Sequence, residues 1–150
     1  MNLNIRLLGD ADLPIYLQLL AQLTKVEKHT HEESILQLKK IHENINHRIY
    51  VIVNDGIIIG CGTLLIEPKM IHGLKPLAHV EDVVIDKQYR KHNLGRTILE
   101  FLIEEAKKLD CYKITLGCGP HNVQFYQKIG FLNGNHQMVY YVNNIPKSKL

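Results

Sequence analysis

The stretch from residue 79 to residue 96 constrains the fold of this chain more than any other part of the sequence. It begins as an apolar strand with two adjacent acids, Glu81 and Asp82, then passes through a basic loop and opens into an amphipathic helix. A helix start presents unpaired backbone N–H groups and the positive end of the helix dipole, so it favours a bound anion. The sequence therefore predicts that the two acids transfer a proton next to a bound phosphate. The residues of the loop that would contact this phosphate are Arg90, Lys91, Gly95 and Arg96.

Length and charge bound the class of protein. The 150 residues have room for one domain with a substantial core, and we expect a single domain over 1–150 with a flexible tail at 143–150. The net charge of +3 is mildly basic, without the dense basic stripe typical of a nucleic-acid-binding protein. The longest apolar run is too short to span a bilayer. We therefore expect neither a nucleic-acid partner nor a membrane partner.

The cysteines indicate a reducing compartment. There are three of them, and no two have the C-x-x-C spacing, so neither a disulfide framework nor a zinc site is predicted. His29 and His31 stand beside two glutamates, but their spacing fits no standard metal site and is better explained by surface histidines at a helix start. We expect a cytoplasmic protein without a bound metal.

Hydrophobic periodicity predicts an α/β (α+β) domain. A mostly antiparallel sheet is expected first, followed by a strand–helix–strand crossover. Thr30 and Glu33 have the spacing of a capping box that opens a helix, and Asn54-Asp55-Gly56 is a strong hairpin turn. Strands are predicted at 3–8, 48–53, 57–67, 78–85 and 113–118, with one or two more from residue 131 and the clearest at 137–142.

Four helices are predicted from caps and apolar stripes. The first begins after Asp10 or Asp12, with Pro14 in its first turn. The third starts near Gly95, and a short fourth is capped by Asn122 and ends at Gly130. The stripes of the first two helices are Leu13, Leu17, Leu20 and Leu23, and Ile35, Leu38, Ile41 and Ile45.

Each candidate feature, taken alone, is also compatible with a structural role. Glu81 and Asp82 alternate along a strand, so one of them could simply face solvent. Tyr126 stands between Phe125 and Ile129 and could be core packing. The basic loop could be a solvated helix start.

The order of several segments resembles a known family. The strand, the loop 90–96 and the following helix resemble the acyl-CoA pyrophosphate site of the GNAT superfamily of N-acetyltransferases. Arg90, Leu94 and Gly95 fit the family loop Q/R-x-x-G-x-G/A, whereas Lys91 and Asn93 stand where small residues are common. Five segments, in order and spacing, resemble the eukaryotic-type glucosamine 6-phosphate N-acetyltransferases: 22–24, 69–72, 79–84, 111–113 and 122–131.

The resemblance implies a fold and a reaction. The fold is a single-domain acyl-CoA N-acyltransferase, in which helices flank a mixed, mostly antiparallel sheet. The reaction is acetyl transfer from acetyl-CoA to the amino group of glucosamine 6-phosphate, a step towards UDP-N-acetylglucosamine, by direct attack of the amine on the thioester. A homodimer is also implied, because in the family Thr24 and a residue near the C-terminus reach the neighbouring subunit's site.

The resemblance also implies roles for individual residues. Glu81 would be the catalytic acid–base group, and Tyr126 would protonate the leaving thiolate and contact the cofactor. The cofactor would be held by Val83, Val84, Ile85, Arg90, Lys91, His92, Asn93, Leu94, Gly95, Arg96 and Asn122. The sugar phosphate would be faced by Thr24, Lys69, His72, Glu81, Asp82, Tyr112 and Lys113.

Two departures from the family pattern keep alternatives open. Gly117 stands where the relatives carry an aspartate that partners the attacking amine, and Tyr140 and Tyr141 stand where they usually carry a phosphate-binding arginine. A tyrosine cannot offer the bidentate charged fork of arginine. A different amine acceptor, or a non-catalytic acetyl-CoA-binding protein, therefore remains an alternative.

Overall fold

Five strands form one sheet in the order β1-β2-β3-β4-β5 in the computed structural model, which describes residues 1–143. The chain forms two compact units, Met1–Leu116 and Gly117–Leu150, and the whole sheet lies in the first. The strands are β1 (Leu3–Leu7), β2 (His47–Asn54), β3 (Ile57–Glu67), β4 (Leu77–Ile85) and β5 (Lys113–Thr115). The helices are α1 (Leu13–Leu20), α2 (His31–Glu43), α3 (Leu94–Lys108) and α4 (Val123–Gln127).

The sheet is mixed, as predicted. Strands β1 to β4 pair antiparallel, and α3 carries the chain across to β5, which pairs parallel to β4. The predicted hairpin joins β2 to β3, with positive φ at Asp55 (48°) and Gly56 (85°), as a tight hairpin turn requires. The capping box of α2 is confirmed, because Glu33 N–H donates to the Thr30 hydroxyl and the Glu33 carboxylate accepts from Thr30 N–H.

Helices cover both faces of the sheet. Ile49, Val51 and Val53 of β2 belong to a buried cluster with residues of α1 and α2. Alternate residues of a strand point to opposite faces, and Tyr50 accordingly packs edge-on against Phe101 of α3 at 4.9 Å. The α3 side chains that are buried there are Leu94, Ile98, Leu99, Leu102 and Ala106.

Two predicted helix stripes are too long. Helix α1 ends at Leu20, and Leu23 lies in the following turn with 48% of its surface exposed. Ile45 likewise follows the end of α2 and is exposed. Asp12 precedes α1, but its carboxylate accepts from Gly9 N–H and pairs with Arg6 instead of capping the helix. Leu23 and Ile45 keep helical spacing in the sequence, although the backbone has already left the helix at both positions.

The strand predicted at 137–142 is wrong for the part of the chain that the structure describes. Met138, Tyr140 and Val142 are 89%, 88% and 84% exposed, and no described strand pairs with this segment. A strand needs a partner for its backbone groups and a surface against which its apolar face is buried. Strand β5 also ends at Thr115, short of the predicted residue 118. The predicted tail lies outside the described residues from residue 144 onwards.

None of the helices within residues 1–143 combines the length and the apolar character needed to cross a membrane.

Candidate active site

Strand β4 contains a β-bulge at the two acids. Thr63 of β3 faces Glu81, but Cys61 faces Val84, so β4 has one residue more than β3 in this interval. Asp82 adopts a positive φ of 49°, which is uncommon outside glycine and marks the bulge. The bulge aims the Asp82 carboxylate into a cavity on the α1–α2 side of the sheet. Both acids are exposed.

Beyond the bulge, one edge of β4 has no partner among the described strands. The parallel ladder between β4 and β5 ends at His79 and Thr115, so the rest of β4 up to Ile85 is unpaired on that side. An unpaired strand edge offers a row of N–H and C=O groups to an extended ligand. This edge includes the three residues predicted to hold the cofactor arm, of which Val84 is buried and Val83 and Ile85 are half-buried.

The free edge leads into the predicted anion site. A single 3-10 turn at Arg90–His92 and Asn93, with a φ of 57°, turn the chain into α3, which starts at Leu94. No side chain caps this helix start, so its N–H groups are available to an anion. Leu94 is buried, so only its backbone can serve. The exposed residues of the loop are Arg90, Lys91, His92, Asn93 and Arg96, with Gly95 half-buried.

A hydrogen-bonded row crosses β3, β4 and β5 on the predicted substrate side. Lys69 Nζ donates to Glu67 Oε1 at 2.7 Å, and His79 Nε2 donates to Glu67 Oε2 at 2.8 Å. The second ring nitrogen of His79 lies 3.1 Å from the Thr115 hydroxyl. Lys69 and then His79 lower the pKa of Glu67, and Glu67 in turn raises the pKa of Lys69. Sequence reasoning missed Glu67, His79 and Thr115, because these contacts join separate strands.

Three more predicted substrate residues lie together. The His72 ring stacks on Tyr112 at 4.1 Å between centroids, and Lys113 Nζ lies 5.5 Å from the centroid of the Tyr112 ring. The His72 ring and the Lys113 ammonium group thus both lie against the Tyr112 ring, and Tyr112 is in turn close to Lys69.

Gln22, two residues before Thr24, links the turn after α1 to the residues that follow β4. The Gln22 amide donates to Asp86 Oδ2 at 3.2 Å and accepts from Lys87 N–H at 2.9 Å. Thr24 itself is exposed, and its N–H donates to Leu20. Gln22 thus fixes the segment that carries Thr24 relative to the first residues after β4. It belongs to a segment that the resemblance identified, but its contacts span 64 and 65 residues and have no local signal.

The second unit carries Asn122 and Tyr126. Asn122 is exposed and precedes α4, but its side chain makes no capping hydrogen bond. The Tyr126 ring packs edge-on against Phe125 at 5.1 Å and Phe131 at 5.8 Å. Burial, and secondarily Cys118, raise the pKa of Tyr126, so its phenol keeps its proton at neutral pH. Such a group is a hydrogen-bond donor.

Gly117 begins the same unit. A Cβ added to Gly117 would collide with the side chain of Gln137, so a larger residue does not fit there without movement. Gln137 thus occupies the space next to the position where the family's aspartate is expected. Within residues 1–143, no group of three or more histidine, cysteine, aspartate or glutamate side chains is placed to hold a metal ion.

The known proteins that this chain resembles are acetyltransferases, both by sequence and by structure. A family model described as the acetyltransferase (GNAT) family matches residues 15–131. A glucosamine 6-phosphate N-acetyltransferase of Arabidopsis thaliana is 33% identical over 129 residues, covering 84% of this chain and 87% of the relative. The enzyme of that name from Trypanosoma brucei brucei is 31% identical, with 92% and 95% covered. The crystal structure of the Arabidopsis enzyme superposes with a TM-score of 0.90 at 34% identity, covering 95% of this chain and 100% of that one.

Proposed function

The chain belongs to the acetyltransferase (GNAT) family, and we propose that it acetylates the amino group of glucosamine 6-phosphate with acetyl-CoA as co-substrate. The observation that carries the proposal is the bulged strand β4, whose unpaired edge leads into the uncapped start of α3. The relatives that cover most of the chain are named for this reaction, which supports the choice of acceptor. The product would feed UDP-N-acetylglucosamine synthesis.

The residues present fit acetyl-CoA, which supplies the activated acetyl group. Backbone groups of Val83, Val84 and Ile85 would pair with its extended arm along the free edge of β4. The α3 start and the basic loop would bind its pyrophosphate. These residues would orient the thioester next to the bulge, where the acceptor arrives.

The acceptor has a positive and a negative end, and the site offers a complement to each. Lys69, Lys113 and His72 would bind the phosphate, while Glu81 and Asp82 would face the amino group. An amine attacks only as the free base, and a nearby carboxylate can take its proton directly or through water. Because Gly117 carries no acid, we assign this work to Glu81 and Asp82. Thr24 and Tyr112 would contact the sugar.

Tyr126 would act on the leaving group. A thiolate with a pKa near 8.5 can take a proton or a hydrogen bond from a phenol that is itself still protonated. The raised pKa of Tyr126 suits this role. Asn122 would contact the cofactor near its reactive end. These two assignments rest on the family motif, and they imply that the whole chain works as one domain.

We also propose a homodimer with shared active sites. The described C-terminal segment exposes several large apolar side chains at spacings that suit a strand: Leu132, Met138, Val139, Tyr140 and Val142. Monomers rarely leave so many apolar residues uncovered in one segment, and a second copy supplies the missing surface. Sedimentation should give the mass of a dimer; a monomer at micromolar concentration would contradict this assembly. The three free cysteines suit a reducing compartment, and we propose a cytoplasmic location.

Thiol release from acetyl-CoA tests the proposed reaction. We expect release to need an acceptor and to be faster with glucosamine 6-phosphate than with glucosamine. Equal rates with both amines would favour an acetyltransferase for another acceptor, an alternative supported by Gly117 and Tyr141. No release with any amine, despite tight CoA binding, would favour a non-catalytic binding protein.

A further inference from the structure

Strands β4 and β5 separate at a hydrogen-bonded row of four side chains: Lys69, Glu67, His79 and Thr115. His79 and Thr115 are the last pair of the parallel ladder, and β4 continues beyond them without a partner among the described strands. His79 precedes Glu81 by two residues, so both side chains point to the same face of the sheet, about 7 Å apart along the strand. The row therefore lies on the face that the acceptor is proposed to occupy.

The row determines which nitrogen of His79 carries the proton. Lys69 and then His79 lower the pKa of Glu67, so its carboxylate is ionised at neutral pH and can only accept hydrogen bonds. Glu67 Oε2 lies 2.8 Å from His79 Nε2, and we therefore assign the proton to Nε2. In a neutral ring Nδ1 is then an acceptor, and the Thr115 hydroxyl donates to it across 3.1 Å. Strand β5 thus orients the His79 ring, and the ring orients Glu67.

The other oxygen of Glu67 orders the Lys69 side chain. Glu67 Oε1 accepts from Lys69 Nζ at 2.7 Å, and only 25% of the Lys69 side chain is exposed, which is low for a lysine. Ordering a free lysine side chain when a ligand binds costs conformational entropy, and a side chain that is already ordered reduces this cost. An ammonium group has three N–H donors, so two remain for a phosphate.

The negative charge of Glu67 would by itself act against a bound phosphate. A carboxylate beside the ammonium group offsets the attraction of Lys69 for a phosphate and repels the phosphate oxygens. If charge were the only effect, removal of Glu67 would strengthen phosphate binding. If ordering of Lys69 dominates, the same removal weakens phosphate binding. The two roles therefore predict changes of opposite sign.

We propose that Glu67, His79 and Thr115 are positioning residues, which hold Lys69 ready for the phosphate of the acceptor and thereby set the preference for a phosphorylated amine. The proposal rests on the proposed function, because Lys69 is there assigned to the phosphate of glucosamine 6-phosphate. His79 acts on Lys69 only through Glu67, and none of the three positioning residues has to contact the substrate.

Steady-state kinetics of the full chain with acetyl-CoA and either glucosamine 6-phosphate or glucosamine tests the proposal. The readout is the phosphate preference, which is kcat/KM for glucosamine 6-phosphate divided by kcat/KM for glucosamine. We expect His79→Ala and Glu67→Ala each to lower this preference about fivefold, mainly by raising KM for the phosphorylated amine, because Lys69 is no longer held. His79→Gln offers an amide N–H to Glu67 and an amide oxygen to Thr115, and it should restore part of the preference.

A double-mutant cycle shows whether His79 acts through Lys69. In a Lys69→Met background we expect His79→Ala to change the phosphate preference by less than about twofold, since the group that it positions is absent. Glu104→Ala is the matched control for Glu67→Ala, because Glu104 forms a similar pair with Lys107 on the exposed surface of α3. The control should keep the wild-type preference.

Thermal unfolding of each variant shows whether it folds. Thr115→Val keeps the shape of the side chain and removes only the hydroxyl, so it carries the test if an alanine variant does not fold. We expect it to lower the phosphate preference about twofold, because the His79 ring loses its partner on β5.

Several outcomes would overturn the proposal. An unchanged phosphate preference in the folded His79 and Thr115 variants, or a higher preference in Glu67→Ala, would reject positioning by this row and leave the proposed function standing. An equal effect of His79→Ala with and without Lys69 would show that His79 does not act through Lys69. Wild-type turnover of neither amine, or of both at equal rates, would reject the proposed function together with the inference that rests on it.

Discussion

The thiol of Cys61 donates a hydrogen bond to the backbone carbonyl of Asp82, with the sulfur and oxygen 3.4 Å apart. Burial raises the pKa of this thiol to about 12, so the proton that makes the bond is retained at neutral pH. The acceptor is the residue with positive φ at the centre of the bulge. Cys61 thus stabilises the backbone that presents the Asp82 carboxylate to the cavity.

Cys61→Ala should therefore affect both stability and activity. The substitution removes a fully buried sulfur and the donor to the bulge, and we expect the free energy of unfolding to fall by about 1.5 kcal/mol. Urea unfolding measures this change. Cys61→Ser keeps a donor of similar size and should retain more of kcat than Cys61→Ala. A lower kcat for the serine variant than for the alanine variant would count against a role for the hydrogen bond.

Lys69 should discriminate phosphorylated from unphosphorylated acceptors. Lys69→Met removes a cation held in place by Glu67, and we expect KM for glucosamine 6-phosphate to rise about tenfold, in line with the loss of one charged hydrogen bond. KM for glucosamine should change little. Lys75→Met is the control, because Lys75 pairs with Asp110 instead. Similar changes in KM for both amines would remove Lys69 from the phosphate site.

Tyr126→Phe should slow the chemical step more than it weakens cofactor binding. Loss of a proton donor typically costs about 10²-fold or more in rate, so we expect kcat to fall by about that factor while Kd for CoA stays within about twofold. Tyr50→Phe removes another partly buried phenol, bonded to Glu105, and should leave kcat near the wild-type value. An unchanged kcat in Tyr126→Phe would rule out the assigned role.

The ion pair between Arg6 and Asp12 should give a pH-dependent contribution to stability. Arg6, with help from Gly9 N–H, lowers the pKa of Asp12 below its unfolded value of about 3.9. The contribution is therefore complete above about pH 4 and is lost as the pH falls through the lower, folded pKa. The difference in unfolding free energy between wild type and Asp12→Asn should shrink between pH 6 and pH 2. A constant difference would contradict the assignment.

Local sequence signals predicted their elements well. The capping box of Thr30 and Glu33 and the Asp55-Gly56 turn involve residues at most three apart, and the structure has both. The parallel crossover through α3 was also predicted, because a strand, a helix and a strand in that order have few alternatives. These features depend little on the rest of the chain.

Features that depend on distant partners were missed or wrong. The bulge at Asp82 follows from the pairing of β4 with β3, and an alternating strand pattern contains no sign of an extra residue. The bond between His79 and Thr115 links residues 36 apart. The strand predicted at 137–142 has the right alternation but no partner within the described chain. Periodicity describes one segment at a time and contains no information about contacts between distant segments. Only a family pattern could therefore assign residues such as His79 and Thr115 to a site.

The central claim is that the acetyl group is transferred to the amino group of glucosamine 6-phosphate. Incubation with acetyl-CoA labelled with ¹³C at the carbonyl, followed by NMR of the sugar product, tests it most directly. We expect the label in an amide bonded to the nitrogen on C2 of the sugar phosphate, formed in step with free CoA thiol. Label that stays in the thioester, or that appears as free acetate while the sugar is unchanged, would contradict the account.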